Sequence, residues 1–215
     1  MQPSYELGLR YAHFDPLEWV PTVEPLLAAN VGTNLFIVQF VTQPFEEFQD
    51  AIMALGGTVR HYIAQYAYLV EMNDAIMAQV EGLPYVRWIG PYHPAYRLEE
   101  FMLDNLDIAE QAYPSQRYNI QVLAIEQKNI VANRLTTLNG IVNHADAGKF
   151  LVEATLTPDQ LFEVVQWDEV NFVDRWSPYE ADMDVAREIG GANHIETVAG
   201  YTGAVSYTHL RAHET

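Results

Sequence analysis

Acyl-transfer chemistry needs a nucleophile beside a base, and the chain offers few candidates. Ahead of its last eleven residues the only serines are Ser4, Ser115 and Ser177. None lies in a Gly-x-Ser-x-Gly bend of the kind that exposes a hydroxyl, and Ser177 precedes Pro178 as a turn residue does. There is no cysteine, so thiolate nucleophiles, disulfides and Cys-based metal sites are excluded, while the redox compartment is left undecided. His13, His61, His93, His144 and His194 are scattered, with no HExxH or other short-range ligand spacing, so a metal site would need convergence from distant parts of the chain. His93, next to Pro94, is expected to satisfy a backbone carbonyl in a linker. No Gly-Lys-Ser/Thr is present to cradle phosphate, and Gly190-Gly191 reads as a helix stop. The paired carboxylates Glu46-Glu47, Glu99-Glu100 and Asp168-Glu169 fall at helix starts or turns, where solvation and the helix dipole account for them. That leaves the aromatic group Tyr85, Trp88, Tyr92 and Tyr96 as the candidate partner-binding platform, with core and inter-module packing as the alternative. The expectation is a chain with no catalytic residue, no cofactor and no metal of its own.

Composition narrows the partners. Half of the 215 residues (49%) are hydrophobic, which excludes a wholly disordered chain. The formal charge of −18 comes from 29 acidic residues against 11 basic ones, only two of them lysine, Lys128 and Lys149. Such a field repels phosphate backbones and anionic lipid, so neither nucleic acid nor a membrane surface is an expected partner. No apolar run reaches spanning length, and Met1 to Tyr5 lacks the basic start and apolar stretch of a signal peptide. Either the protein is cytoplasmic or its true start lies upstream.

The last eleven residues, Val205 to Thr215, match the translation of a common transposon-type sequencing adapter. They are set aside from fold reasoning, as a fusion scar would be. The set-aside stretch carries one Arg and one Glu, so the net charge is unchanged.

The remaining elements fall into a repeated order. Asn34 to Val41 is a β-rich apolar run, and Phe45, Phe48, Ile52 and Leu55 follow at helical spacing until Gly56-Gly57 stops the helix. Thr58 to Tyr62 and Ala67 to Met72 read as strands, Asp74 to Val80 as a helix capped by Asn73, and Pro84 to Ile89 as a fourth strand. The order βαββαβ returns with a strand at Tyr118 to Ile125, a helix at Gln127 to Leu138, and strands at Ile141 to His144 and Lys149 to Thr155. A helix opened by Thr157-Pro158-Asp159 and a strand at Val170 to Trp176 complete it. A period of about 83 to 87 residues lays Gly57-Thr58-Val59 on Gly140-Ile141-Val142 and Pro91-Tyr92 on Pro178-Tyr179.

The fold class expected is α+β: two tandem ferredoxin-like modules, each an antiparallel four-stranded sheet with two helices on one face and the other face open. The boundaries are an N-terminal arm at 1–33, a first module at 34–96, a linker at 97–117, a second module at 118–180, and a lead-in at 181–204 containing a helix at Ala181 to Ile189. Val38, Phe40, Tyr68, Val70, Val86 and Trp88 alternate along their strands, so one set faces the helices and the other needs solvent, the sister module or a partner.

Several strings carry a family resemblance. Phe36-Ile37-Val38-Gln39-Phe40, Ala54-Leu55-Gly56-Gly57-Thr58-Val59 and Leu83-Pro84-Tyr85-Val86-Arg87-Trp88-Ile89-Gly90 resemble the propeptide-like, inhibitor I9-like domains of subtilisin-family serine peptidases. The second copy matches more loosely, through Asn139-Gly140 and Val170 to Val173. Ala186-Arg187-Glu188-Ile189-Gly190-Gly191-Ala192 to Val198-Ala199-Gly200-Tyr201-Thr202-Gly203 looks like the lead-in to a subtilase catalytic domain. The resemblance implies that the catalytic Asp would follow Gly203, so no member of the Asp-His-Ser triad maps onto this chain. It also implies a folding assistant or inhibitor whose partner is its own protease domain, held through the open sheet face, in a parent that is secreted or periplasmic. The alternative is a free-standing tandem ferredoxin-like module that binds a ligand or protein, for which a compact apolar pocket between the modules is expected.

Overall fold

The computed structural model describes residues 4–146, 148–178 and 191–200. They fall in two compact units, one ending at Trp176 and one starting at Ser177. The helix expected at Ala181 to Ile189 and the adapter-like tail lie outside the described residues.

In the first unit the arm carries two short paired strands, β1 (Leu7–Gly8) and β2 (His13–Phe14), and a 3-10 turn at Pro25–Leu27. The first module follows: β3 (Leu35–Phe40), α1 (Glu46–Ala54), β4 (Thr58–Ile63), β5 (Ala67–Glu71), α2 (Asp74–Glu81) and β6 (Val86–Pro91). The connecting segment holds short helices α3 (Glu100–Asp104) and α4 (Ala109–Ala112). The second module is β7 (Gln116–Val122), α5 (Lys128–Thr137), β8 (Ile141–His144), β9 (Leu151–Leu156), α6 (Pro158–Val164) and β10 (Val170–Arg175).

Both sheets are antiparallel and share one topology. Their strand orders are β4-β5-β3-β6 and β10-β7-β9-β8, so in each module the first and third strands are central and the second and fourth are edges. This is the ferredoxin-like arrangement, twice. Local chemistry fixes the helix ends. The Asn73 side chain accepts the Ile76 amide at 3.0 Å, and Thr157 and Gln160 form a reciprocal capping box ahead of Pro158. Gly56 (φ +99°) and Asn139 (φ +62°) take the left-handed conformation that ends α1 and α5.

One expectation is overturned. The outer face of the first sheet is not open, because the arm lies across it. Leu7, Leu9, Phe14 and Leu27 of the arm are buried in one cluster with Leu35, Ile37, Ala67 and Leu69 of the sheet and Tyr92, Ala95 and Tyr96 beyond it. All six residues of β3 are buried, as befits a strand covered on both sides. Its one polar side chain, Gln39, is fully satisfied: Nε2 donates to the Tyr5 and Gln65 carbonyls and Oε1 accepts from Arg87. Arg87 in turn donates to Asp15 at 2.9 Å and lies over the Tyr5 ring at 4.1 Å, which pins the arm from outside the apolar contact. That hydrogen bond holds the Asp15 carboxyl below its ordinary value, against the opposing effect of burial.

The expected alternation also fails at one residue. Phe36, Val38, Phe40, Val70, Tyr68 and Val86 lie on the helix side, but a bulge opposite Gln39 and Phe40 turns Trp88 to the arm side, edge-on to Phe14. A Cβ at Gly90 would run into the indole, so the ring requires glycine there.

The two modules do not have separate cores. The cluster under the arm continues through Leu98 and Met102 into the helix-side core of the second sheet, with Tyr118, Ile120, Val131, Leu135, Leu161 and Val173. The segment expected to be a linker is therefore structural. In the second unit a helix (Ala192–Ala199) runs between Gly191 and Gly200, both with φ +69°, and exposes Ile195 and Val198.

Candidate functional site

The four aromatics proposed as a platform are not on one surface. Tyr85 lies on the helix side of the first sheet, stacked on Phe48 at 4.0 Å, whereas Trp88 packs under the arm on the opposite face. Tyr92 and Tyr96 are buried where arm, linker and second module meet. Burial pushes the Tyr92 phenol up to about 12, against the lowering field of Arg97, and raises Tyr96 as well. Tyr92 and Tyr96 serve packing between the modules.

At that junction sits a group the sequence reading missed. Arg97 is 1% exposed and both its terminal nitrogens bond backbone carbonyls: Nη1 donates to Val165 and Trp167 at 3.2 and 2.6 Å, and Nη2 donates to Tyr92 at 2.8 Å. Val165 and Trp167 end the turn after α6, so the cation meets the negative end of that helix. Asp168 stands 3.6 Å away and accepts from Thr33 Oγ1 and the Asn34 amide, both at 2.7 Å, which ties the start of β3 to the second module.

The other carboxylate pairs are corrected in the same direction. Glu169 pairs with Arg134, and Glu99 takes a two-pronged contact from Arg175 as well as its backbone amide. The Arg175 hydrogen bond leads the effects that lower the Glu99 pKa. These are structural ion pairs between elements. Glu46 and Glu47 do occupy the first turn of α1 in solvent, as expected.

His93 acts as an acceptor, not as the expected donor to a carbonyl. Its Nδ1 accepts the Ala29 amide at 2.9 Å, which joins the arm to the linker and requires a neutral ring. Burial, and then the charge of Arg97, lower its pKa from the ordinary 6.5. The folded chain thus binds this proton less readily than the unfolded one. Stability is full above 6.5 and falls as pH drops from there through the lowered folded value. Thermal unfolding followed from about pH 7.5 to about pH 5 should show this loss, and His93→Asn, which keeps an acceptor near Nδ1, should flatten it. An identical pH slope in both proteins would contradict the assignment.

Among the described residues no group of three or more His, Asp or Glu is placed to hold a metal ion. His61 Nε2 instead lies 2.9 Å from the Leu123 carbonyl across the module junction, and His144 lies beside Asp146. Two clefts open at the junction: one of about 360 Å³ has a mainly polar lining, with Glu71, Arg134, Asp168 and Glu169 beside Ile130 and Trp167, and one of about 300 Å³ sets apolar Val59, Leu123, Ile125 and Phe150 beside Arg60, His61 and Glu126. Glu71, Asp168 and Glu169 are each already engaged, with Arg60, Arg97 and Arg134.

Among the described residues of the first unit, no segment lies across the outer face of the second sheet. Along β7 the buried residues Tyr118, Ile120 and Val122 alternate with Arg117, Asn119 and Gln121, which point to the outer side with Glu153 and Thr155 of β9. Trp176 lies over Arg117 at 4.2 Å, and Arg117 pairs with Glu153. At the β8 side, Ile141 is 62% exposed and Leu151 44%. The face is a flat, mixed surface with apolar residues at its margins, suited to a protein partner more than to a small molecule.

The fold defines a class, an α+β chain of two fused ferredoxin-like modules. Within it, residues 8–93 match a family described as a domain of unknown function (DUF8729). That stretch runs from Gly8, the second residue of β1, through the rest of the arm and all of β3 to β6. No curated protein and no solved structure matches the chain.

Proposed function

We propose that this chain is the non-catalytic N-terminal region of a subtilisin-like serine endopeptidase precursor, and that it assists folding of the protease domain and inhibits it. The observation that carries the reading is the contrast between the two sheets. The first module's outer face is filled by its own arm, whereas among the described residues of the first unit no segment lies across the second module's outer face, and that module lies nearest in sequence to the subtilase-like lead-in. Of the two modules, the second is therefore the one that holds the protease. Binding only the folded protease would stabilise it by mass action. Two further points support the reading: the resemblance of Ala186 to Gly203 to a subtilase lead-in, and the lack of a Gly-x-Ser-x-Gly or similar nucleophile turn in the chain itself.

The test is inhibition of a subtilisin by the purified chain. Peptide hydrolysis should slow at micromolar concentration or below, and the Ile141→Asp/Leu151→Asp double variant should weaken inhibition about tenfold or more, since both side chains are exposed and can be changed without disturbing the core. Absence of inhibition at high micromolar concentration would sink the reading. Equal inhibition by the double variant would move the contact off this face.

A further inference from the structure

A second surface, on the other module and independent of the reading above, has the chemistry of a binding site. At the end of the first module where β3 runs out, a ladder of rings reaches from core to solvent. Phe40, fully buried, stands beside Tyr85 at 6.3 Å; Tyr85 is stacked on Phe48 at 4.0 Å with planes 3° apart; Phe45 meets Phe48 edge-on at 5.5 Å. On the other side Tyr68 contacts Phe40, and Tyr62 contacts Tyr68 at 5.2 Å. The two outermost rings, Phe45 and Tyr62, are each 56% exposed. Rings locked against one another in this way lose little freedom when a partner lands on them.

At the Phe45 end of the ladder the charge is negative. Glu46, Glu47 and Asp50 are exposed on α1 beside Phe45 and Phe48, and among the described residues none of the three is in an ion pair. The helix dipole accounts for acids in the first turn, but not for the half-bare Phe45 ring next to them. We infer that this aromatic ridge is a docking site for a cationic, arginine-bearing peptide segment. Guanidinium groups stack on aromatic faces and pair with carboxylates at once, which uses both features of the surface. A second copy of the chain would bring two sets of three carboxylates together on molecules of net charge −18, and anionic lipid or nucleic acid would be repelled outright. A neutral sugar would use the rings and leave the carboxylates idle.

The test is fluorescence anisotropy with a labelled peptide of about ten alternating arginine and proline residues, at a salt concentration high enough to screen diffuse attraction. Phe45→Ala and the triple variant Glu46→Gln/Glu47→Gln/Asp50→Asn should each weaken binding about tenfold. Asp104→Asn/Asp107→Asn/Glu110→Gln removes the same number of exposed charges from the connecting segment and should leave binding within about twofold. No binding of the peptide, or equal losses from the two triple variants with none from Phe45→Ala, would overturn the site. So would self-association of the chain that Phe45→Ala abolishes, because a second copy would then be the occupant.

Discussion

Replacing Arg97 by methionine is expected to remove about 3–5 kcal/mol of folding stability, read as a shift of the urea midpoint followed by tryptophan fluorescence. The side chain is almost completely buried, and methionine fills similar volume without a donor. Three backbone carbonyls, of Tyr92, Val165 and Trp167, would lose a charged donor and stay buried, and Asp168 would lose the cation beside it. Leaving buried acceptors unmatched costs more than the net worth of the bonds themselves. Arg97→Lys should recover only part of the loss, because an ammonium cannot reach three carbonyls in the fork geometry of a guanidinium. Since domains are typically stable by about 5–15 kcal/mol, the methionine variant should be close to unfolding. A loss below about 1 kcal/mol would mean that the second module does not depend on Arg97 for its seat.

Phe14→Ala should cost a similar amount, about 3–5 kcal/mol, although it lies outside both modules. Its ring is buried between Trp19 at 5.8 Å and Trp88 at 6.5 Å, in the cluster that closes the first sheet's outer face. An arm lying loosely on a finished module would give a small effect. An arm that is part of the module gives the cost of a core cavity. The two cases also differ in the probe: loss of the ring should redden Trp88 emission in the native baseline, because water gains access to the indole. A cost below about 1 kcal/mol with unchanged emission would show that the sheet closes without this residue.

The elements were legible because local chemistry and periodicity agree. Asn73 and Thr157 cap the helices they precede, Gly56 and Asn139 stop the helices they follow, and a duplicated βαββαβ order gives two ferredoxin-like sheets. The covered face was also written in the sequence. Leu35 to Phe40 is continuous in apolar residues apart from Gln39, while Arg117 to Val122 alternates strictly, and only a strand buried on both sides tolerates the first pattern. Treating the two modules as equivalent hid that difference.

Other features had no local signal. Arg97 finds its carbonyls about seventy residues away, and Asp168 reaches Thr33 across more than half the chain. Contacts of that range depend on how the modules dock. The bulge that turns Trp88 under the arm depends on register between strands, which a single sequence does not display. The candidate platform failed on simpler grounds: Tyr85 and Trp88 are an odd number of residues apart and lie on opposite faces, and Tyr92 and Tyr96 enter a core shared by both modules.

The asymmetry between the sheets also orders the functional account. An arm has taken the first face, and among the described residues of the first unit no segment takes the second, on the module nearest the segment that resembles a subtilase lead-in. The most direct test is to read the source DNA onward from the codon of Ile195, with adapter sequence trimmed away. The account predicts an open frame past Gly203, with a strand bearing an aspartate soon after it, then a His-Gly context and later a Gly-Thr-Ser context. A stop codon immediately after Gly203 would contradict it and leave a free-standing binding protein.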